Sequence, residues 1–187
     1  MGDIDSISAS ELHHTVDGVG LKHGRKVKAA HRWVMDGTCK MSGRNFIGAI
    51  QLRSNLLYTR GRAARGRPQR ETKCKHCHAA YESLGHILLR CPFTHEERIQ
   101  WHDTAVKLAR YYFKREGFET VLKKNINTPS GLLKPDIIAW REGACALVTD
   151  VTIVSDEEDL DQVHGLKSLK YVGYPEIRVW VGDGPSQ

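Results

Sequence analysis

Apolar residues in the first third of the chain recur with the spacing of amphipathic helices. One basic helix is predicted over residues 21–35, where the sequence reaches Asp36 and a glycine that favour a helix end. A second helix is predicted to begin after Ser42, whose side chain can cap it, and to run through Phe46 and on to Leu57. Both helices would expose basic side chains to solvent.

Shorter apolar runs follow in the last third of the chain. Residues 136–140 and 144–154 predict two strands that are joined by a tight turn containing Glu-Gly. A helix is predicted over 157–172 and a last strand over 177–181. An earlier helix is predicted after Thr94, which forms a capping-box pattern with the glutamate three residues later. The order of elements near the end indicates an α/β fold.

Charge is strongly segregated along the 187 residues, although the formal net charge is only +6. Between Leu21 and Lys75, fifteen lysines and arginines stand against two acids, whereas Asp136 to Asp161 holds eight acids and one base. Such a distribution is typical of a protein that binds nucleic acid through one region and a divalent metal through another. An ordinary solvated surface is the plainer interpretation.

The cysteine count and the lack of long apolar runs indicate the compartment. Five cysteines are an odd number, and three of them lie within 18 residues, which favours metal binding over disulfides. No stretch approaches the roughly 18 to 20 apolar residues of a membrane span. The N-terminus also lacks the basic and then apolar pattern of a signal peptide. We expect a soluble, intracellular protein that does not bind a membrane.

The segment from Thr59 to Arg70 contains five arginines that are interleaved with glycines and a proline. Glycine and proline disfavour a helix, so the segment is predicted to be a basic loop. A loop of this kind suits contacts with phosphates more than readout of bases, although a solvated linker is the alternative. The candidate phosphate-binding side chains of the loop are Arg60, Arg62, Arg65, Arg67 and Arg70.

A C-x2-C-x8-H-x4-C pattern predicts a zinc site with the ligands Cys74, Cys77, His86 and Cys91. Four protein ligands close the tetrahedral shell, so the predicted zinc is structural and not catalytic. Three nearby histidines are alternative ligands, namely His76, His78 and His95.

Two aspartates and two lysines form the second chemical pattern. Asp136 would start one strand of the predicted hairpin and Asp150 would lie in its partner, so their carboxylates can share a Mg²⁺ ion. Lys167 and Lys170 would lie on one face of the next helix and could orient a nucleophile or neutralise charge on a phosphate. The pattern predicts metal-assisted phosphodiester hydrolysis. Alternatively, Asp150 is a turn residue and the lysines are solvated.

Taken together, these motifs resemble the C-terminal region of non-LTR retrotransposon polyproteins. The resemblance is to the site-specific branch that carries a restriction-like endonuclease and inserts into ribosomal RNA genes. It covers about residues 25 to 181. The matching residues are Arg53-Ser54-Asn55-Leu56-Leu57-Tyr58-Thr59-Arg60, the arginine-rich stretch, the CCHC knuckle, Gly85-His86-Ile87-Leu88, Cys91-Pro92, Arg98, His102, Lys134-Pro135-Asp136 and Asp150-Val151-Thr152.

The resemblance implies a PD-(D/E)xK nuclease that nicks target DNA, so that the free 3′ end primes reverse transcription. Asp136 and Asp150 would then be the metal-binding acids and Lys167 the catalytic lysine, with Lys170 and Tyr171 continuing the motif. Arg53 joins the candidate nucleic-acid-binding residues. The resemblance further implies a DNA target, with the element's RNA as a second candidate partner, and a nuclear location.

Three segments follow from this interpretation, and the overall fold class is α/β. Residues 1–73 would form a basic helical segment that binds nucleic acid, and residues 74–128 the zinc knuckle with its following helix. Residues 129–187 would form the restriction-endonuclease-like core, which we expect to be truncated at its C-terminal end. We also expect no reverse transcriptase domain in this chain. The alternatives are a catalytically inactive nucleic-acid-binding module and a structural zinc protein that binds an acidic partner.

Overall fold

A computed structural model describes residues 10–15, 17–18, 21, 32–142, 146–155 and 158–172. Its architecture is mixed α/β, with one long helix, several short ones and two small sheets. Within the described residues, one compact unit extends to His95 and includes Val154–Gln162, and the other comprises Glu96–Ile153 and the residues from Val163 onward. The predicted boundaries after residues 73 and 128 therefore lie inside these units.

The first unit contains helices α1 (Arg32–Asp36) and α2 (Gly43–Arg53). Most of the predicted helix over 21–35 lies outside the described residues, and its predicted end at Asp36 is confirmed. Helix α2 begins as predicted, because the side chain of Ser42 accepts the N–H of Asn45 at 3.3 Å. The predicted extension to Leu57 is wrong.

Helix α2 ends early because the backbone reverses at Asn55. This residue has a φ of 52°, in the left-handed region that asparagine tolerates and that cannot continue a helix. The preceding Ser54 still donates its N–H to Ile50 at 2.9 Å and so closes the last turn.

The arginine-rich segment is not a loop throughout, which corrects the prediction at its start. Residues Arg60–Ala63 form a short helix, α3. Thr59 caps this helix by accepting the N–H of Arg62 at 3.0 Å, so one turn forms despite the glycine at position 61. Consecutive backbone turns continue from α3 as far as Arg70.

The long helix α4 (His95–Arg115) begins directly after Thr94, as predicted. Five strands, all in the second unit, and a final helix follow. Their bounds are β1 (Glu119–Leu122), β2 (Ile126–Thr128), β3 (Gly131–Leu133), β4 (Ile137–Trp140), β5 (Leu147–Thr149) and α5 (Leu160–Leu169). No helix among the described residues is long and apolar enough to cross a membrane.

Strand β4 is the centre of a three-stranded antiparallel sheet of order β1-β4-β5, and β2 and β3 form a separate hairpin. The β4–β5 hairpin is confirmed, whereas β1, β2 and β3 were not predicted. Strand β5 is shorter than the predicted run to 154, because the N–H of Val151 donates to the carboxylate of Asp136 at 2.9 Å. Helix α5 is also shorter than predicted, and the strand over 177–181 lies outside the described residues.

Both faces of β4 are buried. Ile138 packs with Ile126 and Leu133 on one face, while Ile137 and Ala139 pack on the other face. On that second face, Val106 of α4 completes the cluster. Ile137, Ile138 and Ala139 have no exposed surface. A run of consecutive apolar residues is therefore explained by a strand that is covered on two sides.

Two adjacent leucines in β3 allow a matched test of this core. Leu133 is 8% exposed and belongs to the core cluster, whereas Leu132 is 59% exposed. We expect Leu133→Ala to lower the free energy of unfolding by about 2–4 kcal/mol, because it removes buried methyl groups and leaves a cavity. Leu132→Ala should change it by less than about 1 kcal/mol. Urea unfolding measures both, and equal effects would contradict the assigned packing.

Candidate functional site

The first unit brings the four predicted zinc ligands together. The ligand atoms of Cys74, Cys77, His86 and Cys91 all lie within 4.8 Å of one another. The sulfurs of Cys74 and Cys91 are 3.9 Å apart, and the sulfur of Cys77 lies 3.3 Å from Nε2 of His86. A zinc tetrahedron with bonds of about 2.3 Å has edges of about 3.8 Å, so the cluster can hold such an ion.

The alternative ligand His76 has a different environment. Its ring stacks on that of Phe93, with ring centroids 4.1 Å apart and planes inclined by 13°. Among the residues that the structure describes, the Cys₃His set is the one group of three or more His, Cys, Asp or Glu side chains that can hold a metal ion.

Backbone hydrogen bonds shape the loop that carries the first two cysteines. The N–H of Cys74 donates to Ala80 at 2.7 Å, and the N–H of His78 donates back to Cys74 at 2.9 Å. His78 adopts a φ of 56°, which lets the chain reverse tightly after Cys77. His86 and Cys91 lie at the two ends of a π-helical turn, where the N–H of Cys91 donates to the carbonyl of His86 at 2.7 Å.

Other backbone amides of this loop favour the thiolate forms of Cys74 and Cys77, which bind metals. Burial raises the pKa of Cys74, but hydrogen bonds from the backbone of Cys77 and His76 bring it below its ordinary value. The backbone amide of Ala79 likewise lowers the pKa of Cys77. Burial raises the pKa of the Cys91 thiol, so we expect zinc binding to displace its proton.

The second unit brings the two predicted acids together at one end of the β4–β5 hairpin. Asp136 directly precedes β4 and Asp150 directly follows β5, and the adjacent residues Ile137 and Thr149 are paired across the strands. The register therefore places both carboxyl groups at the same end of the hairpin, where Asp136 helps to lower the pKa of Asp150. Each side chain is largely buried, with 12% exposure for Asp136 and 11% for Asp150.

Three side chains from α5 and the residues after it converge on Oδ2 of Asp150. The ammonium groups of Lys167 and Lys170 lie 3.4 and 3.3 Å from this oxygen. The hydroxyl of Tyr171 donates to it at 2.8 Å. Both predicted lysines thus contact the predicted acid, since one turn of helix places them on the same side.

Asp136 is held from the other side by helix α4. Nε2 of His102 lies 3.1 Å from Oδ2 of Asp136, which also accepts the N–H of Val151. The other ring nitrogen of His102 lies 3.4 Å from Asp103, whose carboxylate accepts the ammonium of Lys123 at 2.9 Å. A chain of four polar side chains therefore leads from Lys123 to the paired acids.

Hydrogen bonds and ion pairs favour the charged forms of Asp150 and Lys170 in this cluster. Burial raises the pKa of Asp150, but the hydrogen bond from Tyr171, contact with Asp136 and the two lysines bring it below its ordinary value. Hydrogen bonding with Tyr171 and Asp150 raises the pKa of Lys170 despite partial burial. Burial raises the pKa of Tyr171, which therefore stays a hydrogen-bond donor. At neutral pH the site holds a carboxylate surrounded by ammonium groups.

The six candidate nucleic-acid-binding arginines fall into two groups. Three are half-buried; among them, Arg60 donates to the carbonyl of Lys73 at 3.1 Å, and Arg62 donates to Asp17 at 2.6 Å. The exposed arginines follow α3. The half-buried group is Arg53, Arg60 and Arg62, and the exposed group is Arg65, Arg67 and Arg70.

Several residues of these clusters have no role that the sequence pattern predicts. Asp17 accepts hydrogen bonds from both Arg62 and Arg65, at 2.6 and 2.9 Å, from a position more than 40 residues away. Glu82 is 2% exposed and bonds to backbone amides. The signal that could have found Glu82 is its position between metal ligands, where a buried acid needs donors.

Comparison with known proteins gives one consistent group of relatives, and no protein-family model matches the chain. The chain is similar to a retrovirus-related Pol polyprotein from the type-2 retrotransposable element R2DM of Drosophila melanogaster, with 31% identity over 175 residues. It is also similar to Pol polyproteins from type-1 retrotransposable elements R2 of Nasonia vitripennis, at 32% identity over 171 residues, and Popillia japonica, at 33% over 145 residues.

These matches cover most of this chain and little of the relatives. They include 94%, 91% and 77% of the chain, but 16%, 17% and 30% of the three relatives. The chain thus spans about a sixth of the length of the first two. Its homologues are R2 retrotransposon Pol polyproteins, which supports the resemblance to a region of a non-LTR element.

The metal cluster can be tested with two cysteine substitutions. We expect the purified chain to bind one zinc ion, and Cys74→Ser to lose it because a buried ligand is removed from a closed tetrahedral set. Cys39→Ser is the matched control, since Cys39 is exposed and outside the cluster. Zinc content is measured by atomic spectroscopy after dialysis. Equal zinc content in all three proteins would refute the ligand assignment.

Proposed function

We propose that this chain is the metal-dependent DNA endonuclease region of a non-LTR retrotransposon protein, with a restriction-like core. In this proposal it nicks one strand of target DNA, and the new 3′ end primes reverse transcription. The observation that carries the proposal is the convergence of Asp136, Asp150, Lys167 and Lys170 at one end of a hairpin. The similarity to R2 Pol polyproteins supports the same class of protein.

Asp136 and Asp150 would hold the magnesium ion. The chemistry of the donors fits, because both side chains offer carboxylate oxygens and the pKa of Asp150 lies below its ordinary value. When bound, Mg²⁺ would lower the pKa of a coordinated water and offset negative charge on the scissile phosphate. Val151 and His102 would keep the carboxylate of Asp136 in place through their contacts with it.

The remaining side chains would act on the phosphate and on water. In hydrolysis the water gives up a proton as its oxygen forms a bond to phosphorus, the bond between phosphorus and the 3′ oxygen breaks, and the leaving oxygen takes up a proton. The ammonium groups of Lys167 and Lys170 would stabilise the charge that develops on the phosphate oxygens. Tyr171 would orient Asp150 through its 2.8 Å hydrogen bond.

The first unit would grip the nucleic acid. Its exposed arginines, Arg65, Arg67 and Arg70, are placed to contact phosphates, and arginine forms strong bidentate bonds to them. The zinc would hold the adjacent loop in shape and take no part in catalysis. The target DNA is the proposed main partner, the element's RNA a second one, and the nucleus the proposed location.

A second candidate function is a zinc-containing nucleic-acid-binding module without catalysis. The observation that favours it is that Lys167 and Lys170 both contact the same oxygen of Asp150, so the acid is already neutralised by protein groups. Such an ion-paired cluster can stabilise a fold without cutting DNA. The two candidates differ in whether Mg²⁺ and DNA together yield product.

Substitution of Asp150 distinguishes these functions. We expect Asp150→Asn to lower Mg²⁺-dependent plasmid nicking by about a thousandfold, the order of loss that follows removal of one member of a catalytic group. DNA affinity should be unchanged or higher, because the change removes a negative charge. Nicking is followed by gel electrophoresis of supercoiled plasmid, with and without Mg²⁺.

Asp161→Asn is the control for this test, because this substitution removes the same charge at an exposed position of α5. It should nick like the wild type. If a folded, zinc-loaded wild type binds DNA but never nicks it, the non-catalytic binding module would be the candidate function that remains. Equal loss of nicking and DNA affinity in Asp150→Asn would indicate misfolding.

Salt dependence tests the role of the exposed arginines. We expect a variant with Arg65, Arg67 and Arg70 changed to alanine to reduce the slope of log affinity against log salt by about two to three, since each phosphate contact contributes about 0.9. The control variant removes three exposed charges of α4, namely Lys107, Lys114 and Arg115. Fluorescence anisotropy with duplex DNA measures both, and an unchanged slope in the arginine variant would exclude these contacts.

A further inference from the structure

Glu82 is a buried glutamate of the first unit that links two segments by their backbones. Its Oε1 accepts the N–H of Arg60 at 2.7 Å, and its Oε2 accepts the N–H of Lys75 at 2.7 Å. Lys75 lies between the metal ligands Cys74 and Cys77, whereas Arg60 is the first residue of α3. A single carboxylate therefore joins the metal-binding loop to the helix from which the exposed arginines continue.

Further contacts reinforce this link. The N–H of Gly61 donates to the carbonyl of Glu82 at 3.1 Å, and the guanidinium of Arg60 donates to Lys73 at 3.1 Å. The ring of Tyr81 lies so close to Gly61 that an added Cβ would be 2.4 Å from it. Helix α3 is thus packed directly against the residues on both sides of the cysteine loop.

The link extends to the exposed arginines through the backbone. Successive turns connect α3 with the residues beyond it: the N–H of Arg65 donates to Arg62, that of Arg67 to Ala64, and that of Arg70 to Arg67. Each turn fixes the start of the next, so the placement of α3 determines the backbone positions from which these arginine side chains extend. The metal-binding loop can influence the arginines without contacting nucleic acid itself.

The carboxylate of Glu82 suits this role because each of its oxygens faces a backbone donor. Burial raises the pKa of Glu82, but the amides of Lys75 and Arg60 bring it below its ordinary value. A glutamine has the same shape, but its NH₂ group would face one of the two N–H donors. Replacement by glutamine would therefore break one side of the link and leave a buried amide without its acceptor.

We propose that Glu82 is a positioning residue that couples metal binding at the Cys₃His cluster to nucleic-acid affinity at the exposed arginines. The inference rests on the proposed binding of nucleic acid by the first unit. Because coupling between two binding sites is reciprocal, zinc should raise the affinity for DNA, and DNA should raise the affinity for zinc by the same factor.

The test compares the full chain with Glu82→Gln, each with zinc and after zinc removal by a chelator. Binding of fluorescent duplex DNA is measured without Mg²⁺ at several salt concentrations, and zinc content is measured separately. We expect zinc removal to weaken DNA binding by the wild type about tenfold, within the usual range of coupling between sites. Glu82→Gln should keep its zinc and bind DNA about five- to tenfold more weakly than the wild type. Its DNA affinity should change by less than about twofold when zinc is removed.

Glu71→Gln provides the matched control. Glu71 is an exposed glutamate of the same unit that accepts the N–H of Lys73 at 2.7 Å, so the charge change is identical. Removing an acid beside basic residues should by itself tighten DNA binding. A weaker complex for Glu82→Gln, together with an equal or tighter complex for Glu71→Gln, therefore cannot result from net charge.

Three results would overturn the inference. In the first, zinc-loaded Glu82→Gln binds DNA as tightly as the wild type, and in the second, zinc removal weakens both proteins equally. If Glu82→Gln loses its zinc, the test uses Glu82→Asp in its place. Aspartate keeps the negative charge, but its side chain is too short to bond to both amides. Loss of zinc in this variant as well is the third result, because Glu82 would then only maintain the metal site. A zinc-loaded wild type without DNA affinity would refute the proposed function itself.

Discussion

The arrangement of the second unit depends on one strand that is paired at both edges and buried on both faces. Strand β4 pairs with β1 and β5, and its alternate side chains fill two separate apolar clusters. One cluster includes Val106 of α4, so the position of that helix follows from the strand. Because a one-residue shift would move every side chain of β4 to the wrong face, its register is fixed. The position of Asp136, which directly precedes β4, is therefore fixed as well.

Buried carboxylates in this protein are stabilised in two different ways. Asp136 and Glu82 accept backbone N–H groups, which are part of the fold and cannot move away independently. In the described part of the structure, Asp150 accepts hydrogen bonds from side chains of α5 and of the residues after it. These side chains can rotate away. Asp136 and Glu82 therefore stabilise the fold, whereas the side chains that bond to Asp150 can move aside when a ligand binds to it. This difference supports Asp150 as the chemically active member of the pair.

Features that depend on nearby residues were predictable from the sequence. The four residues of the Cys₃His cluster fall within 18 residues, so their spacing predicted the cluster, although nearby histidines were alternative ligands. The start of α2 followed from the hydroxyl of Ser42, and the β4–β5 hairpin from two apolar runs. In each case the interacting groups are close along the chain.

Features that depend on distant partners were not predictable. Strand β1 is only four residues long, and it becomes a strand because it pairs with β4 across the intervening hairpin. The turn of helix at α3 has a local cap from Thr59, but it is also held by Glu82, 22 residues away, which accepts the N–H of Arg60. The partial withdrawal of Arg62 from solvent depends on Asp17, which lies 45 residues earlier. Local propensity favoured a loop there, and tertiary hydrogen bonds outweighed it.

The pairing of Ile137 with Thr149 has a consequence for how related sequences can vary. The distance between the two acids in space is set by strand register and not by the number of residues that separate them along the chain. Residues can therefore be added or lost between Trp140 and Leu147 without separating the carboxylates. A single insertion between Asp136 and the strand, or between the strand and Asp150, would displace one acid from the other. Between the two acids, length variation that is compatible with the site is thus confined to the residues between Trp140 and Leu147.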